Sequence, residues 1–168
     1  MPFATARLRT RTFATLLTVT ITVAVTALTS SAALAAACES ADPSRLEAAP
    51  GAMYASARIA GDLVFVSGQI GVDTASTAPA PDFETQMQEA LRRLESVLQV
   101  AGSDVSLIQR ATVYVTDPAN LATMNRLYRA FFEERGAALP ARSLVPGLNF
   151  GNAIAFEIDA IATLAVCE

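Results

Sequence analysis

Apolar and polar residues follow different rhythms in successive stretches of this chain. From Leu63 to Val72 the sequence is almost continuously apolar between Gly61-Asp62 and Asp73-Thr74, which predicts a buried strand. Arg58 and Ile59, before the Gly61-Asp62 turn signal, belong to a strand paired with it as a hairpin. A loop rich in Pro, Ser and Ala follows. Asp82 opens a helix in which Phe83, Met87, Leu91, Leu94 and Leu98, with Ala90 and Val97, recur at three-to-four spacing. Glu84, Glu89, Arg92, Arg93 and Glu95 occupy the other face, and Gly102 stops the helix. Gln109 to Thr116 alternates, with Ala111, Val113 and Val115 on one side, so it is a strand. Asp117-Pro118 is an N-cap and N1 proline launching a second helix, whose buried stripe is Leu121, Met124, Tyr128, Phe131 and Phe132 and which Gly136 ends. Arg142 to Val145 and Ala153 to Leu164 supply two last strands with Pro-Gly and Gly-Asn turn signals between them. The order β-β-α-β-α-β-β predicts an α+β domain, two helices packed on one mixed β-sheet. One face of that sheet has no helix to cover it, and contact between subunits is its expected cover.

The first 37 residues follow another plan. Arg7, Arg9 and Arg11 precede a charge-free run from Phe13 to Ala37 that ends in two overlapping A-x-A patterns, Ala33-Leu34-Ala35 and Ala35-Ala36-Ala37. That is the pattern of a signal peptide over 1–37, and it implies an exported protein, periplasmic or secreted. The same run is long enough to span a bilayer if it is not cleaved. Residues 38–50 form a polar, Pro-containing lead-in, and the domain occupies 51–168. Loss of the leader removes three Arg and no acid, leaving nine Arg against sixteen acidic residues, a net charge of −7. Such a chain, with no basic run, suits neither nucleic acid nor an anionic membrane surface. Cys38 and Cys167 stand at the two ends of the mature chain. An oxidising compartment favours a disulfide between them; Cys38 within Leu34-Ala35-Ala36-Ala37-Cys38 could instead carry a lipid, or both thiols could be free.

Composition narrows the chemistry. The chain has no His, and all twelve basic residues are Arg, so Lys is absent too. Histidine bases, Ser-His and Cys-His nucleophile pairs, Lys Schiff bases and the P-loop lysine are therefore excluded. Two Cys without His are also a poor start for a zinc site.

Three places remain where chemistry could sit. Arg142, in Leu139-Pro140-Ala141-Arg142-Ser143, enters an apolar strand, where a planar guanidinium can take a substrate carboxylate by two parallel hydrogen bonds or pair with a carboxylate of its own protein. Glu157 and Asp159 are two apart on the last strand, so both point to one face about 6.5–7 Å apart. Such a pair can position and deprotonate water, or can simply be a solvated strand face. Ser67-Gly68, placed at the end of a buried strand, offers a hydroxyl and a close backbone approach, or only a bulge. Asn125 and Tyr54 carry no specific signal alone, and Tyr128, Phe131 and Phe132 read as core.

Together these pieces resemble a known family. The stretch from about Arg45 to Leu164 is similar to the RidA family of reactive-intermediate (enamine/imine) deaminases. The resemblance is carried by Gly61-Asp62 through Ser67-Gly68-Gln69-Ile70, by Ala111 through Asp117, and by Met124-Asn125 through Tyr128 to Phe131-Phe132. Pro140-Ala141-Arg142-Ser143 and Phe156-Glu157-Ile158-Asp159-Ala160-Ile161-Ala162 complete it. It implies a chorismate-mutase-like subunit assembled as a homotrimer with active sites in clefts between subunits. It also implies hydrolysis of 2-imino acids, formed from enamines such as 2-aminoacrylate, to 2-keto acids and ammonia without metal or organic cofactor. Arg142 matches the arginine that holds the substrate carboxylate and Glu157 the carboxylate that positions water; Asn125, Ser67, Gly68 and Tyr54 fall at other site positions. Asp159 matches the second acidic residue of that strand, which is not the family's catalytic one. Two departures are visible: Gly51-Ala52-Met53-Tyr54 stands where the family has Gly-Pro-Tyr, and Leu144 replaces a common Cys. Two other functions remain: a trimeric module that binds small carboxylates without turnover, and a ribonuclease, against which the −7 charge and the absence of His and Lys both argue.

Overall fold

A computed structural model describes Ala32 and residues 34–39, 41–72, 78–150 and 153–166. Most of the expected leader, and with it the choice between signal peptide and anchor, lies outside the described residues. The described elements are β1 (Ala57–Ala60), β2 (Leu63–Ile70), α1 (Phe83–Val100), β3 (Ile108–Val115), α2 (Leu121–Glu134), β4 (Ala141–Pro146) and β5 (Phe156–Thr163). They build a five-stranded sheet in the order β1-β2-β5-β3-β4. Only the β3–β4 pair is parallel, and α2 is its crossover.

Local chemistry sets the element ends. The Asp82 carboxylate caps α1 by accepting from the Thr85 N–H at 2.9 Å and the Thr85 hydroxyl at 2.8 Å. At the other end the Ser103 N–H reaches back to the Leu98 carbonyl across Gly102, whose φ is +77°. The second helix begins later than its proline suggests. Pro118–Asn120 forms a 3-10 turn capped by Asp117, which accepts from the Ala119 N–H, and the α-helix starts at Leu121. The last strand also starts late, at Phe156. Ala153 has φ +58°, and the buried Gln86 amide donates to the Ala153 carbonyl while its oxygen accepts from the Ala155 N–H. Those bonds hold residues 153 and 154 away from the ladder, while the Ala155 carbonyl still accepts from the Thr116 N–H at 3.2 Å.

One face of the sheet, with Val64, Val113, Val115, Phe156 and Ile158, is buried under Met87, Leu94 and Leu98 of α1 and Met124 and Phe132 of α2. Each such large side chain contributes roughly 1.5–3 kcal/mol when buried. The other face bears no helix among the described residues. Along β5 the even members Phe156, Ile158, Ala160 and Ala162 are buried, while Glu157, Asp159, Ile161 and Thr163 stand half-buried on the helix-free side. Phe65 on that side is 41% exposed.

Ser67 and Gly68 lie inside β2, which continues to Ile70 as the apolar run from Leu63 to Val72 predicts, and not at a strand's end. Pairing with β5 jumps from Val66↔Ala160 to Gln69↔Ile158, so two residues of β2 face Asp159 alone. This is a β-bulge, and the strand resumes beyond it because Gln69 and Ile70 find partners in Ile158 and Glu157.

Both ends of the domain meet at the C-terminal end of α1. The Asp42 N–H donates to the Val100 carbonyl and the Ala165 N–H to the Gly102 carbonyl. Cys38 is disulfide-bonded; Cys167, the other cysteine of the chain, lies outside the described residues.

Candidate active site

The candidate residues fall into two groups. In the first, β4 pairs with β3 so that Arg142 stands beside Ala111, a residue of the helix-covered face. The Arg142 side chain therefore leaves the sheet edge on the side where α2 runs. Its Nη2 donates to Asn125 Oδ1 at 2.9 Å and its Nη1 approaches Met124 Sδ at 3.6 Å. The guanidinium carbon lies 4.8 Å from the Tyr128 ring centroid, a cation–π contact. Every one of these partners is neutral, and among the described residues no carboxylate pairs with Arg142. Burial pushes the Tyr128 hydroxyl up to about 12, an effect the Arg142 charge offsets in part, so the phenol stays neutral. The arginine opens onto a groove of about 460 Å³ lined also by Arg126, Arg129, Leu139 and Pro140.

Ser67, Gly68 and Glu157 make the second group, on the helix-free face. The Glu157 carboxylate lies directly against Gly68, so closely that a Cβ there would overlap it. Burial, and then the charge of Asp159, raise the Glu157 carboxyl above the ordinary carboxylate value. Asp159 accepts from the Tyr114 hydroxyl at 3.0 Å, which holds it beside Glu157 without adding a compensating charge. The Ser67 hydroxyl donates to the Ala55 carbonyl at 2.7 Å, which pins the end of the 50–55 loop to the bulge. Tyr54, the preceding residue, is 71% exposed.

The two groups do not meet within one chain. Arg142 points to the helix side and Glu157 to the other. Register adds to the separation: Glu157 pairs with Tyr114 and Tyr114 with Val145, three residues along β4 from Arg142. That is about 10 Å along the strands and about 10 Å across two strand spacings. A small imino acid bridges neither the distance nor the sheet.

Sequence reasoning assigned Tyr128 to the core alone, whereas its ring is also the platform for Arg142. The available signal was its i+3 spacing from Asn125, which puts both on one side of α2. Gln86, a residue with no functional motif around it, ties the Ala80 and Ala153 carbonyls and the Ala155 N–H together just before Glu157. A lone amide on the apolar stripe beside Met87 and Ala90 was its signature.

A family model described as Endoribonuclease L-PSP matches residues 45–164. The chain belongs to this family, the RidA family. Among curated relatives, the 2-iminobutanoate/2-iminopropanoate deaminase of Salmonella typhimurium is 39% identical over 102 residues, covering 61% of this chain and 80% of that one. Among solved structures, the YjgF gene product of E. coli aligns with a TM-score of 0.64 at 33% identity, over 73% of this chain and 95% of that chain. E. coli TdcF with bound serine aligns equally well, with a TM-score of 0.64 at 32% identity over 73% and 96%. The RidA fold is thus an α+β fold with one mixed sheet and its helices on one side, as the hydrophobic pattern predicts.

Proposed function

We propose that the protein is an exported RidA-type hydrolase that converts 2-imino acids, tautomers of enamines of the 2-aminoacrylate type, to 2-keto acids and ammonia. We further propose that it works as a homotrimer whose sites combine Arg142 and Asn125 of one subunit with Ser67, Gly68 and Glu157 of the next. The observation that carries this reading is the Arg142 guanidinium, stacked on Tyr128 and held, among the described residues, only by neutral groups, with its charge available to a carboxylate. The opposite placement of Glu157 supports a site completed by a second copy.

An imine carbon is already electrophilic, so the reaction needs no protein nucleophile, which suits a chain without His or Lys. Arg142 binds the substrate carboxylate by two parallel hydrogen bonds and fixes the orientation of C2. Glu157 takes a proton from water as the water oxygen adds to C2 and passes it to the imine nitrogen, which gives the neutral carbinolamine. As the carbinolamine collapses, Glu157 takes the hydroxyl proton while the carbonyl forms, and returns it to the nitrogen as the C–N bond breaks and ammonia departs. Its raised proton affinity favours that return step.

The deciding experiment is keto-acid release from 2-iminopropanoate generated in situ by an amino-acid oxidase, with and without the protein. Release faster than in buffer supports the enzyme; binding of pyruvate with no acceleration makes it a carboxylate-binding module. Export is supported by the leader pattern and by a disulfide-bonded Cys38. Mass spectrometry of the exported protein is expected to show a start near Ala36 or Cys38, and a diacylglycerol mass on Cys38 would make it a lipoprotein instead.

A further inference from the structure

The groove in front of Arg142 holds more positive charge than a monocarboxylic substrate needs. Three of its seven lining residues are Arg126, Arg129 and Arg142, and none is acidic. Glu84 and Glu133 stand beside two of them, which leaves the charge of Arg142 and a weakly held Arg129 facing the groove, and such a spot in a chain of formal net charge −4 favours an anionic ligand. The three arginines are not equivalent. Arg126 is engaged with Glu84 of α1 at 2.7 Å. Among the described residues Arg129 has only an i,i+4 contact with Glu133 at 3.7 Å, with both side chains 64% exposed, an ion pair that solvent and salt largely screen.

Placement makes Arg129 relevant to the ligand of Arg142. It follows Tyr128, the ring beneath the Arg142 guanidinium, and lies four residues after Asn125, which accepts from that guanidinium. The helical rise puts it about 6 Å along α2 from Asn125. The two carboxyl carbons of an extended four- or five-carbon dicarboxylic acid are about 4–5 Å apart, given carbon–carbon bonds of about 1.5 Å. A ligand with its 2-carboxylate on Arg142 thus brings a carboxylate at the end of its side chain within reach of Arg129. The groove's size agrees: a three-carbon imino acid has six heavy atoms, on the order of 180 Å³ at a water's volume each, and the groove offers about 460 Å³.

We infer that Arg129 is a specificity-determining residue that selects 2-imino acids with a second, side-chain carboxylate, such as 2-iminoglutarate, over 2-iminopropanoate. The inference rests on the imine-deaminase reading for its reaction, whose chemistry is unchanged: water adds to C2, the C–N bond breaks, and a 2-keto dicarboxylic acid and ammonia leave.

The test compares kcat/KM for 2-iminoglutarate and 2-iminopropanoate, each generated in situ by an amino-acid oxidase, in the wild-type protein and in Arg129→Gln. The wild type is expected to favour the dicarboxylic imine about tenfold, the scale of one charge-assisted contact in a half-open site. Arg129→Gln is expected to erase that ratio mainly through KM, Arg129→Lys to restore part of it, and rising ionic strength to narrow it. Equal ratios in wild type and Arg129→Gln, with imine hydrolysis intact, overturn the inference and leave the deaminase standing. If neither imine is hydrolysed, calorimetry with 2-oxoglutarate and pyruvate separates the claims. A preference for 2-oxoglutarate that is lost in Arg129→Gln retains the second anion subsite and removes the enzyme; no preference removes both.

Discussion

Gly68→Ala should damage activity far more than stability. The added Cβ would overlap the near oxygen of Glu157 and come within 2.7 Å of its Cδ and 3.2 Å of its Cγ. What blocks it is the far end of a flexible side chain, so the carboxylate can rotate away at about 0.5–1.5 kcal/mol for leaving its rotamer. Gly68 has no positive φ, so alanine fits the backbone and recovers about 0.4–1 kcal/mol by restricting the unfolded chain. The two nearly cancel. Net stability should change by less than about 1 kcal/mol, whereas a carboxylate moved by an ångström from its water costs about 10²-fold in rate. Gly71→Ala is the control. There the Cβ meets the backbone of Gln86 within α1, which cannot rotate aside, so the cost falls on stability, typically 1–3 kcal/mol or more for overpacking. Urea denaturation and keto-acid release on both variants are the assay. Wild-type turnover in a folded Gly68→Ala protein would refute the placement of Glu157 at the reacting water, and a severe stability loss in that variant would refute the claim that the side chain yields.

Three further outcomes are expected. Arg142→Lys should lose about thirtyfold or more in kcat/KM while the assembly still forms by light scattering, because a point ammonium lacks the fork geometry of guanidinium. Glu157→Gln should abolish most turnover yet raise thermal stability. The folded-state proton affinity of Glu157 lies above the unfolded value, so the native state binds the extra proton and wild-type stability falls as pH rises through that window; the gain on substitution should therefore be larger at pH 8 than at pH 4, by calorimetric melting at both. Cys38→Ser should cost about 2–4 kcal/mol by denaturant titration under oxidising conditions and nothing when the wild type is compared with reductant present.

The fold was legible because its signals are local. The stripe from Phe83 to Leu98, the alternation around Val113 and the Gly61-Asp62 hairpin each specify an element without help from the rest of the chain. Errors came where a tertiary partner moved a boundary. Gln86 holds residues 153 and 154 off the ladder, and β2 runs through Ser67-Gly68 as a bulge, the plainer of the two readings the sequence offers there. The identity of the candidate residues was visible through the motifs around Ser67, Arg142 and Glu157. Their arrangement was not. Residue parity says which side of its own strand a side chain takes, but only the β3–β4 and β3–β5 registers reveal that Arg142 and Glu157 take opposite sides of the sheet. Arg129 gave no sequence signal, since an arginine on an exposed helix face is ordinary until a groove is found beside it.

The central claim is that one subunit supplies Arg142 and its neighbour Glu157, and mixing inactive subunits tests it most directly. Arg142→Ala and Glu157→Gln proteins carrying different tags are co-expressed, and mixed assemblies are assayed for keto-acid release from 2-iminopropanoate. In a ring of three each mixed trimer regains a single site with both residues intact, so random mixing in equal amounts should restore about a quarter of wild-type activity from two parents that have almost none. Mixed trimers as inactive as either parent would contradict a site shared between subunits.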